Sequence, residues 1–156
     1  MRLFWVCLVA VIIVIGLYVA IHRILINRAT IMLRNRAQQT TDDAVNASLQ
    51  KLLSWDQTLN SQLVADVWGK GVLAFEYHFD RKQASTQLDR DQLMAALGDY
   101  ANRHDLKPAQ PGKPVFVVTD WWEYEGILHI DVAYLLNEST MEYVSDLKRL
   151  DHHDKH

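Results

Sequence analysis

Four carboxylates, Asp120, Glu123, Glu125 and Asp131, bracket one predicted turn. A carboxylate pair held roughly 5–9.5 Å apart is the equipment of glycoside hydrolysis. Acids also gather at turns because turns are wet, and that is the reading the sequence favours. His78, His104 and His129 fall on three different predicted elements, and no serine or cysteine stands in a nucleophile motif. The sequence also lacks phosphate-cradling glycine loops, HExxH and paired-cysteine motifs. The single cysteine, Cys7, excludes an intramolecular disulfide and a cysteine-based zinc site. At the C-terminus His152, His153 and His156 stand with Asp151 and Asp154. A metal held by a flexible tail lacks preformed geometry and supporting hydrogen bonds, so residues 151–156 read as a solvated polar tail. The expectation is a non-enzymatic chain with no cofactor and no metal.

Trp121 and Trp122 offer a different chemistry. Neighbours on a strand point to opposite faces, so one ring enters the core while the other is left outward as a contact for a partner or a sugar ring. Cross-strand packing is the competing fate of an outward ring.

The element that must position everything else is at the start. Leu3 to Ile21 is a run of nineteen residues without a charge, followed by His22, Arg23 and Arg28. At about 1.5 Å per residue it reaches about 28 Å, close to the roughly 30 Å hydrocarbon core of a bilayer. A cleaved signal peptide would have a shorter apolar stretch and small residues before the cut, whereas a cut after Ala20 places Tyr18 at minus three. A buried helix apolar on every face is more than a small domain can cover. The run therefore reads as an uncleaved single-pass anchor, residues 1–22, with the bilayer as its first partner. Gly16, its only glycine, offers a weak small-residue contact for lateral packing, and no GxxxG pair accompanies it.

Charge divides the chain. Residues 1–41 carry five arginines and no acid, while residues 42–156 carry 11 basic and 19 acidic side chains, a balance of −8. A basic juxtamembrane segment favours anionic headgroups, and an acidic body is repelled by them. The body is also a poor nucleic-acid binder, because it lacks clustered Lys and Arg. The arginines beyond the span outnumber the one before it, which by the positive-inside rule places the body in the cytoplasm.

From Ile24 to Leu53 there is no proline or glycine and the apolar spacing is helical, which predicts a stalk helix over 23–55 with a possible break at Thr40-Thr41-Asp42-Asp43. Gly69 and Gly71 punctuate the chain. Leu73 to Phe79 alternates as a half-buried strand. Asp89 with Gln92 forms a capping pattern, and Leu88 with Leu93 a hydrophobic staple, opening a helix to about His104. Val115–Trp122 and Ile127–Leu136 predict a hairpin about a turn at Glu123–Gly126. Ser139 to Leu150 fits either a helix or an edge strand. The predicted fold is α+β: a transmembrane helix continued as a stalk, then a small body over 56–150 with an antiparallel sheet of three to four strands and one packed helix.

A short N-terminus, an apolar span running into a helix bearing Ala29, Ala37, Ala44 and Ala47, and a small body with a C-terminal hairpin resemble pilin-like and TadE-like proteins of bacterial pilus and secretion systems. The likeness extends to a capped helix, Leu88 to His104, before a strand pair, Val115 to Leu136. No glycine precedes the apolar run and no glutamate follows as a prepilin peptidase requires, so no processing site carries over. The resemblance implies an exported body on an uncleaved anchor in the cell membrane. It also implies a role in assembly, with other pilus or secretion subunits, or further copies of the chain, as partners. The arginine count leaves the alternative of a membrane-tethered binding or regulatory module facing the cytoplasm.

Overall fold

The computed structural model describes residues 2–54, 57–64, 71–82 and 88–153. Gly69, Trp55 and the tail residues Asp154 to His156 lie outside them. The chain forms two compact units, residues 1–35 and 36–156.

From Arg2 on, the first unit is helical, the start of α1 (Arg2–Leu53). Its large apolar side chains are exposed all round, from Phe4 at 70% through Val14 at 65% to Met32 at 66%. This is one helix long and apolar enough to cross a membrane, with none of its most apolar stretch covered by protein.

The second unit begins where α1 acquires a buried face. Ala37, Thr41, Ala44, Val45, Ser48 and Leu49 recur at helical spacing and are all buried. The possible break at Thr40–Asp43 does not occur, because the polar side chains there find partners that leave the helix intact. Thr41 donates back to the Ala37 carbonyl (2.7 Å), and Asp42 accepts from the Tyr77 hydroxyl (2.7 Å).

Beyond α1 come β1 (Gln62–Leu63), β2 (Ala74–Asp80), α2 (Arg90–Arg103), β3 (Phe116–Tyr124), β4 (Ile127–Tyr134) and α3 (Glu138–His153). The strands form one antiparallel sheet in the order β1-β2-β4-β3. The α+β expectation holds. Helix α2 starts as its sequence dictates: Asp89 accepts from the Gln92 N–H at 2.8 Å, and the staple residues Leu88 and Leu93 are both buried. The hairpin closes through Glu125 (φ 51°) and Gly126 (φ 80°), the paired left-handed conformations of a type I′ turn that match strand twist.

One sheet face carries the main core. Phe75 and Tyr77 of β2, Val118 of β3, and Ile130 and Val132 of β4 pack with Val45 and Leu49 of α1 and Leu93 and Leu97 of α2. The other face is half covered by α3. There Tyr143 and Val144 lie over Ala74, Val117, Ala133 and Leu135, where the paired alanines Ala74 and Ala133 leave room for a helix. Residues 139–150, ambiguous in sequence, are thus helical. Their cap is Asn137, whose side-chain oxygen accepts from the Thr140 N–H (2.9 Å) and whose amide donates to the Gly71 carbonyl (2.7 Å). The helix continues through Asp151 to His153, so part of the expected tail is ordered backbone.

Candidate functional site on the open half of the sheet

Beyond the edge of α3 the same face is open, and strand pairing decides what it displays. His78, His129 and Trp122 are aligned across β2, β4 and β3, and Glu76, Asp131 and Asp120 form the adjacent row. His78 and His129, read from sequence as scattered, are neighbours with ring centroids 5.9 Å apart. His104 is elsewhere, exposed at the end of α2 and stacked on Tyr100.

A β-bulge between Val118 and Asp120 sets the phase of this row. Val118 faces the core opposite Val132, and simple alternation from it would send Asp120 and Trp122 inward. The extra residue, Thr119, shifts the count by one. Trp121 therefore lies opposite Ile130 and packs against the main core, while Trp122 lies opposite His129, outward and 42% exposed.

The outward ring is held. The Trp122 indole stacks on His129 with centroids 3.8 Å apart and planes within 6°, and His129 Nδ1 is 2.7 Å from Glu76 Oε1. The three residues form a chain across three strands. Asp131 feels the same neighbourhood differently. Burial, then the charges of Glu76 and Asp120, push its carboxyl up to about 7, with His129 offsetting part of the effect. Tyr143 of α3 borders the cluster, and its hydroxyl is raised by burial and by Asp131.

Of the four carboxylates singled out in sequence, the fold brings only Asp120 and Asp131 together. Glu123 reaches Arg81 instead (3.7 Å), and Glu125 occupies the exposed turn. Among the described residues no group of three or more His, Cys, Asp or Glu side chains is arranged to hold a metal ion. Gly16 lies on the uncovered helix of the first unit, with nothing within 4 Å of where a Cβ would stand.

Glu76 was missed in sequence, although the signal was present. Alternation in 73–79 already placed Glu76 and His78 opposite the apolar face, and alternation in 127–136 did the same for His129 and Asp131. Only the antiparallel register between the two strands was missing. Comparison of the chain with protein-family models, with curated proteins and with solved structures finds no match in any of the three.

Proposed function

We propose that this protein is a single-pass, membrane-anchored, non-enzymatic accessory or structural subunit of a bacterial surface pilus or secretion assembly, with its body on the exported side. One observation carries the reading. The part of α1 in the first unit is apolar on every side and bare, whereas its later residues Val45 and Leu49 belong to the core of the second unit. A bare apolar helix in the first unit and a folded second unit suit a subunit that is held in lipid by the one and meets its neighbours with the other.

The outer sheet face supports binding in preference to chemistry, because its central glutamate, histidine and indole engage one another. Glu76 is taken by His129, and His129 by Trp122. What remains for a neighbouring subunit is the free side of the Trp122 indole beside the exposed Tyr124.

Alkaline phosphatase fused after Leu150 is expected to be active in cells, with a cytoplasmic reporter at the same position inactive. The opposite pair of results would contradict the exported placement. A photoreactive residue replacing Trp122 is expected to crosslink to a membrane or pilus subunit of such an assembly, and crosslinks confined to ribosomes and chaperones would contradict the assembly role. The distribution of arginines favours the second reading, a tethered binding module facing the cytoplasm. The same fusion pair decides between the two.

A further inference from the structure

The exposed apolar rod does not end with the nineteen-residue run. Ile24, Leu25 and Ile26 follow at 55%, 61% and 52% exposure, as bare as the span itself, and they lie between Arg23 and Arg28. Water is a poor medium for three adjacent large aliphatic side chains, and the hydrocarbon core is a poor medium for two guanidinium groups. The medium that accepts both is the headgroup layer, where apolar side chains reach the acyl boundary and charged ones meet phosphate.

Length agrees with this. A bilayer of about 40–45 Å with a core of about 30 Å has a headgroup layer of about 5–7.5 Å on each side. Arg23 and Arg28 are separated by about 7.5 Å of helix rise, the thickness of that layer. Just before them Tyr18 stacks on His22 with centroids 5.9 Å apart, two amphipathic rings where a span meets the headgroups. Residues 1–41 contain no acid, and among the described residues neither Arg23 nor Arg28 forms an ion pair.

We propose that Arg23 and Arg28, with Ile24, Leu25 and Ile26 between them, form a collar that binds anionic phospholipid headgroups and selects them over zwitterionic ones. Guanidinium groups suit this role because they grip phosphate oxygens in pairs. Arg34, about 9 Å further along the helix, lies within a Debye length of that surface and adds a weaker, salt-sensitive attraction. The proposal rests on the membrane-anchored reading.

The full-length protein is placed in bilayers of phosphatidylcholine containing a minor share of phosphatidylglycerol, excised in polymer nanodiscs, and the captured lipids are quantified. An arginine near an anionic surface is worth about fivefold in local preference, so clear enrichment of phosphatidylglycerol over its bulk share is expected. In Arg23→Gln/Arg28→Gln most of that enrichment should be lost, with only a small salt-sensitive remainder from Arg34 and with the near-ultraviolet circular dichroism of the body unchanged. Bulk composition around the parent chain, or enrichment that survives the double substitution undiminished, would overturn the collar while leaving the anchor standing. A chain absent from the discs altogether would overturn the anchor itself, and the collar with it.

Discussion

The Trp122 indole lies flat on the His129 imidazole, 3.8 Å between centroids, and the imidazole in turn meets Glu76 at 2.7 Å. An exposed tryptophan on the edge strand β3 is thereby fixed in place by His129 of the neighbouring β4, which is itself held by Glu76 of β2. Cross-strand aromatic pairs of this kind contribute about 0.5–1.5 kcal/mol beyond the area they bury. A double-mutant cycle of Trp122→Ala and His129→Ala, read by urea unfolding of the detergent-solubilised chain, should give a coupling of about 0.5–1.5 kcal/mol. Strict additivity would show that the stack is incidental.

Asp131 makes the body sensitive to pH. Its carboxyl is raised from 3.8 to about 7, so the folded body holds a proton that the unfolded chain has released across that window. The resulting stabilisation is complete below pH 3.8 and is lost as pH rises through about 7. Asp131→Asn, which cannot ionise, should therefore be more stable than the parent at pH 8, by on the order of 1–2 kcal/mol after allowance for partial solvation. It should also show a flatter stability profile between pH 5 and 8. A variant less stable than the parent at pH 8 would contradict the crowding of Asp131 by Glu76 and Asp120.

Thr119 is the extra residue of the bulge, so its deletion would leave Val118 opposite Val132 and Asp120 opposite Asp131 in an unbroken ladder. The deletion variant is expected to fold with Trp121 still inside and Trp122 still outside. Photo-oxidative footprinting of the two indoles is the check, and an exchange of their reactivities would mean that the bulge does not set the phase.

Thr140 secures α3 to the sheet. Its buried hydroxyl accepts from the Leu73 N–H (2.9 Å) and donates to the capping Asn137 (2.6 Å). Thr140→Val would leave that N–H buried without a partner, at a cost of about 1–3 kcal/mol. Thr140→Ser should restore most of it in the same unfolding assay. Equal losses in the two variants would assign the effect to packing and not to the hydroxyl.

What was legible in the sequence was local. Asp89, Gln92, Leu88 and Leu93 announce the start of α2 within six residues, and Gly126 marks the hairpin turn between two runs of alternating residues. What escaped depends on distance along the chain. Asn137 caps α3 partly by holding Gly71, and α3 is helical because Tyr143 and Val144 find the alanine-floored patch on β2 and β4. The Glu76–His129 contact joins residues 53 apart, beyond any periodicity. The bulge at Thr119 leaves no mark in composition, yet it decides which of two adjacent tryptophans is displayed. Thr40–Asp43 misled because the residues that suit a cap also satisfy themselves within a helix when a partner such as Tyr77 is at hand.

The central claim is that the apolar start of α1 is retained and lies in lipid. Alkaline carbonate extraction of cell membranes, followed by mass spectrometry of the intact chain, tests it most directly. The account predicts the chain in the washed membrane pellet with residues 1–22 still present. A chain released into the supernatant, whole or trimmed near Ala20, would contradict it.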